Sequence, residues 1–279
     1  MPRRFTRVVG IDLASAAART GVVVLGVRGG LVEATLGDDA QDASLTDLVD
    51  ATTVVGVDAP LGWPDDFVRA LGDHARFEEW PAATTAPGVP ERENLRLRRT
   101  DRFVRELKLG STPLSVSSDL IGVVAMRAAS LQSAWSGAWG QREPRDGSGR
   151  LVETYPAAAL RAWGLLPARG VRYKGGGDRD QLDHHTVERE RLIEAIASLG
   201  SSWLVLATSL RDEAVRSDHA LDALVCALVA LAAKLGATTG VPEVDREVAR
   251  REGWIHVPSR PLTEVGELLV ARGSSSHVI

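Results

Sequence analysis

The apolar positions of the first sixty residues fall into short β-branched runs separated by small and polar breaks. Val8–Ala14 (VVGIDLA) reads as a buried strand ending in a small-residue loop. Thr20–Val27 is a second strand, with SAAAR as a short reversal between the two. Leu31–Leu36 follows the Gly29–Gly30 turn signal and alternates apolar with polar, which predicts a third, antiparallel strand. Leu45–Ala51 predicts a short helix with Ser44 as its N-cap. Val54–Pro60 (VVGVDAP) is again a buried strand, stopped by Pro60.

The pattern changes after Gly62. Residues 62–149 are rich in Trp, Pro and Arg and read as a helical insertion over the strand ends, with helices over Asn94–Leu109 and Ser118–Ala138. Leu151–Pro156 (LVETYP) is a fifth strand. Tyr173–Asp180 holds a flexible KGGGD loop, and Val187–Leu199 is a helix with Leu192, Ile193 and Ile196 on one face. Trp203–Thr208 fits a helix end or a short strand equally. Asp218–Leu235 is a strong helix, capped by Ser217 and closed by Gly236. Residues 273–279 read as a disordered tail. Three meander strands, a helix, and a fourth strand parallel to the first make the first half of an RNase H-like sheet. The expected fold is one α/β domain over residues 1–279: a mixed five-stranded sheet flanked by helices, with the insertion between strands four and five.

Composition adds limits. Hydrophobic residues make up 44% and charged residues 25%, ordinary for a globular chain of 279 residues. The single Cys226 excludes a disulfide framework within the chain and a thiolate zinc site, and fits a reducing cytoplasm. The basic Met1–Arg7 leads into VVGID, where an acid breaks the apolar run, so no secretory signal is read. The longest apolar stretch, Ala220–Leu235, is shorter than a bilayer span and holds Asp222. A cytoplasmic protein without a membrane partner is expected; the oligomeric state is open, a homodimer included. The net charge of −4 and pI near 5.9 give no global case for nucleic-acid binding.

The chemistry lies in carboxylates. VVGIDLA and VVGVDAP each place an Asp one residue after a Gly-aliphatic pair, near the C-terminal end of an apolar strand. Ligands of open α/β sheets bind outside those ends. Neighbouring strands lie about 4.8 Å apart, so Asp12 and Asp58 in matching register can share a cation. One such Asp alone reads as a loop cap; two at the same place in near-copies shift the reading towards function. Asp218 and Asp222 are four apart on one helix face, near the favourable end of the helix dipole. Asp218 also reads as an ordinary first-turn acid. Asp222, flanked by Leu221, Ala223, Leu224 and Val225, is costly to bury unless paired or metal-bound. Glu153 is the fourth candidate, or an edge-strand acid facing solvent. Carboxylates without a His or Cys partner suit Mg²⁺ or Mn²⁺, and two such ions would activate water against a phosphodiester.

Taken together, GIDLA, VVGVDAPLGWP, RRTDRFVR, VETYP, Tyr173–Lys174 and DHALDALVCALVA resemble the domain-of-unknown-function family four-two-nine over roughly Val8 to Val257. That family is described as predicted nucleases of the RNase H fold. The DHALDAL helix also resembles the last helix of RuvC-type resolvases. The resemblance implies an RNase H-like core, a metal site at Asp12, Asp58 and Asp222, and supporting roles for the other motif residues. It supplies no substrate, because fold does not fix function.

Seven basic residues lie between Arg92 and Lys108. Arg98, Arg102 and Arg105 fall on one helical face and read either as a phosphate-contacting stripe or as a solvated face balanced by Glu91, Glu93, Asp101 and Glu106. The family motif favours Arg102, with Asp101 as its orienting partner. Lys174 is a further phosphate candidate, although KGGGD lacks the spacing of a Walker A loop. Trp63, Trp80, Trp135 and Trp139 read as core packing or as base-stacking platforms. His184–His185 reads as an exposed helix start. His219 is a candidate proton carrier set sideways from Asp218 and Asp222.

The leading expectation is therefore a metal-dependent nuclease or phosphodiesterase. Asp12, Asp58, Glu153 and Asp222 would be catalytic, and Asp12, Asp58, Asp218 and Asp222 would hold metal. Arg102, Arg105 and Lys174 would neutralise phosphate on nucleic acid or another phosphodiester. Two alternatives stand beside it. An actin- or sugar-kinase-related phosphotransferase needs two such halves, whereas the strand-Asp motif recurs here after 46 residues, which is strand spacing. A non-catalytic ligand-binding protein is the other.

Overall fold

The computed structural model describes residues 5–78, 90–110, 112–167 and 170–274. Its centre is a mixed sheet of β1 (Arg7–Asp12), β2 (Gly21–Arg28), β3 (Leu31–Leu36), β4 (Thr53–Asp58), β5 (Leu151–Glu153) and β6 (Leu204–Leu206), in the order β5-β4-β1-β2-β3-β6. The β1–β2 and β2–β3 pairs are antiparallel, and β4, β5 and β6 join in parallel. The sheet thus has six described strands, one more than the expected five. The added strand lies within Trp203–Thr208 and is only three residues long, too short for a periodic signal.

Helices α1 (Asp42–Asp47), α2 (Asp65–Ala75), α3 (Pro90–Arg96), α4 (Arg99–Glu106) and α5 (Gly122–Trp139) fall before β5. After it come α6 (Pro156–Ala162), α7 (Arg179–Leu199), α8 (Thr208–Arg216), α9 (Asp218–Lys234), α10 (Arg246–Glu252) and α11 (Leu262–Ser274). Several boundaries differ from the sequence pattern for local reasons. Helix α1 starts at Asp42, because the Asp39 carboxylate accepts from the Gln41 amide and the Ser44 hydroxyl; Ser44 lies inside the helix. The helix expected over 94–109 breaks at Leu97–Arg98, where Arg98 turns extended and its side chain goes inward. Helix α7 starts at Arg179, capped by Asp178, so His184 and His185 lie inside it and His185 is buried. Helix α9 follows Ser217, whose hydroxyl makes no capping bond, and Gly236 after it has a positive φ. Of the expected tail, residues 273–274 are helical and 275–279 lie outside the described residues.

The two sheet faces carry separate cores. Val9, Ile11, Val55 and Val57 pack with Leu131, Trp135 and Trp139 of α5. Trp135 and Trp139 are therefore core residues, with their ring N–H groups donating to the Leu45 and Thr53 carbonyls. Trp63 is half-buried, and Trp80 lies outside the described residues. On the other face, Val8 and Val54 pack under α9, α7, α8 and α11. Helix α9 is buried from Ala220 to Ala232 and lies across β1, β2 and β4. Each buried Leu or Val there contributes about 1.5–3 kcal/mol. No helix among the described residues is long and apolar enough to cross a membrane.

Candidate metal centre

Strand alternation puts Val8, Gly10 and Asp12 on the face covered by α9, and Val54, Gly56 and Asp58 beside them. The two strands are in matching parallel register, Gly10 opposite Gly56 and Asp12 opposite Asp58. The glycines let the helix close in. A Cβ at Gly10 would collide with the Ala223 carbonyl and the Ala227 amide, and one at Gly56 with the Cys226 carbonyl. This close approach brings Asp222, on the first turns of α9, down to the strand ends. Ligand oxygens of Asp12, Asp58 and Asp222 lie within 4.8 Å of one another.

The donors around the three acids differ. Asp222 is 1% exposed and accepts from the Tyr173 hydroxyl at 2.7 Å and from Lys174 Nζ at 2.5 Å. Asp12 Oδ2 meets His219 Nδ1 at 2.7 Å. The Asp58 carboxylate accepts no hydrogen bond among the described residues. Burial pushes Asp58 well above the usual carboxylate range; Lys174 opposes this, and the neighbouring charges of Asp12 and Asp222 add to it. Asp222 is pushed up to about 6, by burial first and by Asp12, against Lys174 and the two hydrogen bonds. The bond to Asp12 raises His219. The three acids together therefore carry more charge than Lys174 alone balances. An all-oxygen donor set of this kind fits a hard divalent cation.

Glu153 is not brought into the cluster. In the β4–β5 register it pairs with Val57 rather than Asp58, one residue out of phase. Its carboxylate takes a two-pronged pair from Arg98, at 2.6 and 2.8 Å, and a third bond from the Leu61 amide at 3.0 Å. It is buried and ion-paired, neither a free ligand nor a solvent-facing edge acid. Asp218 also stays outside. One helical turn rises about 5.4 Å, so a residue four before Asp222 overshoots the strand ends, and its charge acts on Arg189 and His219.

Within the basic stripe, Arg102 and Arg105 do not reach the acids either. Arg102 bonds the Asn94 side chain, and Arg105 pairs with Glu93 at 2.9 Å. Asp101 orients Arg98, not Arg102, through Nε at 3.2 Å and Nη2 at 2.9 Å. Of the three basic candidates, Lys174 alone meets an acid of the cluster. Sequence reasoning missed the Tyr173 contact to Asp222, the His219 contact to Asp12 and the burial of Arg98. For Arg98 the available signal was the Arg98–Asp101 spacing at a helix start, where an acid at the third position commonly bonds back to the cap.

A cleft of about 350 Å³ opens over these groups. Asp12, Asp58, Glu153, Arg98 and Lys174 supply its charged side, and Pro113, Leu114, Ile121, Val124 and Ile255 line an apolar wall. No curated protein and no solved structure matches the chain. The family model described as "Protein of unknown function (DUF429)" matches residues 10–247, most of the chain, and the protein belongs to that family.

Proposed function

We propose that this protein is a metal-dependent phosphodiesterase or nuclease of RNase H-like build, in which Asp12, Asp58 and Asp222 hold Mg²⁺ or Mn²⁺. One observation carries the reading: two register-matched strand-end acids that line a cleft converge with a buried helix acid behind them, with one lysine among the three. The strand order around β1, with two antiparallel neighbours on one side and parallel β4 on the other, supports the RNase H-like part. A bound divalent ion supplies Lewis acidity to a phosphoryl oxygen and acidifies water.

The chain's own groups then have separate tasks. Lys174, 38% exposed, presents an ammonium to a phosphoryl oxygen at the cleft. His219 orients Asp12 through Nδ1. Tyr173 holds Asp222 by its hydroxyl. The apolar wall receives a base or another apolar part of the ester. With Arg102 and Arg105 occupied by Asn94 and Glu93, the cleft suits a compact phosphodiester or a strand end better than a duplex backbone, which needs several phosphate contacts.

The test is Mn²⁺-dependent hydrolysis of bis(p-nitrophenyl) phosphate and of single-stranded and duplex oligonucleotides. Asp12→Asn abolishes the metal-dependent rate while thermal unfolding remains cooperative. An active Asp12→Asn protein would overturn the reading.

A further inference from the structure

Lys174 is built into the acid cluster. It and Tyr173 are consecutive, and between them they donate to both oxygens of Asp222. Their backbone is anchored by Arg189, which is buried on α7. Arg189 donates through Nη1 to the Tyr173 carbonyl at 2.8 Å and through Nε to the Val215 carbonyl at 2.8 Å. Its Nη2 reaches the Arg216 carbonyl at 3.2 Å and the Thr186 hydroxyl at 3.1 Å. One guanidinium therefore ties the lysine-bearing loop to the segment that leads into α9 and Asp222. The ammonium has a set position, unlike that of a surface lysine with a free backbone.

Charge then limits what else the cluster can hold. Asp12, Asp58 and Asp222 bring three negative charges and Lys174 brings one positive. The remainder equals the charge of one divalent ion. A second ion would leave the site with two uncompensated positive charges if the ammonium stayed, and with one if it displaced the ammonium from Asp222. Unpaired charge at a largely buried site is strongly unfavourable. His219 reaches Asp12 from the more exposed side. Glu153, which lines the same cleft, is already paired with Arg98.

We propose that the centre takes one divalent cation and that the Lys174 ammonium, held on Asp222, stands where a second cation would bind. This rests on the reading above that the three acids hold metal, and it changes the expected two-ion arrangement to one ion and one lysine. Arg189 is a positioning residue in this scheme, acting through the Tyr173 carbonyl.

The experiment counts Mn²⁺ on the full chain by calorimetry and by electron paramagnetic resonance. Wild type binds one ion per chain with an uncoupled spectrum. Lys174→Met binds two, with the spin coupling of a close Mn²⁺ pair. If Lys174→Met fails to fold, Lys174→Gln gives the same reading. Two ions in wild type, or one in the neutral variant, would overturn the proposal and leave the three-acid metal reading standing. No ion in wild type would overturn that reading itself, and this proposal with it.

Discussion

Two groups of acids, each with members on one cleft, are built to opposite ends. Glu153 and Asp101 share the Arg98 guanidinium, and backbone amides of Leu61 and Arg98 complete the set. Their oxygens are occupied by fixed donors, and the group joins β5 to the start of α4. Asp12, Asp58 and Asp222 sit at the ends of β1 and β4 and on α9, with one lysine, one tyrosine and one histidine among them. Asp58 has no donor among the described residues. The first group is a clamp, and the second packs three acids together around one lysine. An acid in a cleft therefore counts as a candidate ligand only after its existing partners are known.

The largest expected effect comes from breaking the clamp. Arg98→Met leaves Glu153 and Asp101 buried without their cation, which costs about 3–5 kcal/mol. Urea unfolding of wild type and variant measures it. A loss below about 1 kcal/mol would mean that the pair behaves like a surface ion pair.

Comparing the groups across pH needs a background, and His256 sets it. Its Nε2 faces the Asp146 carbonyl, an acceptor, so Nε2 carries the proton and Nδ1 accepts from the Thr238 hydroxyl. Burial, with the nearby Lys234 charge, pulls His256 down to about 4. The unfolded chain, with His near 6.5, binds that proton first. Stability from this group is thus complete above about pH 6.5 and is lost as the pH falls towards 4, by about 3 kcal/mol in all. Unfolding curves from pH 7 to 4 should show this slope in wild type and lack it in His256→Gln. An equal slope in both would assign it elsewhere.

The smallest effect has the opposite sign. Asp58→Asn removes a like charge from the cation-poor group and no hydrogen bond, so the metal-free protein gains about 1 kcal/mol. Mn²⁺ affinity falls at the same time. Thermal melts in chelator, set against calorimetry with Mn²⁺, check the pair of outcomes. Destabilisation of the metal-free variant would place Asp58 with the clamp.

The legible parts of this molecule are those with local repetition. β-branched runs mark β1 to β4, and the VVG-x-D repeat places Asp12 and Asp58 side by side because a parallel register follows from two near-copies. Asp222 stands out as an acid in an apolar helix. The illegible parts depend on contacts far along the chain. Whether Glu153 faces the cluster is decided by a one-residue phase of β5 against β4, and its partner Arg98 lies 55 residues away. The break before α4 exists because Arg98 is drawn inward, which the helical pattern over 94–109 does not reveal. Arg102 and Arg105 read equally as a phosphate stripe or a balanced surface from sequence, and their structural partners Asn94 and Glu93 favour the latter.

The most direct test of the central claim is anomalous diffraction from a crystal soaked in Mn²⁺. A peak coordinated by Asp12, Asp58 and Asp222 is expected, with Glu153 still on Arg98. A well-ordered soaked crystal with no peak among the three acids, or with Glu153 turned from Arg98 onto the metal, would contradict it.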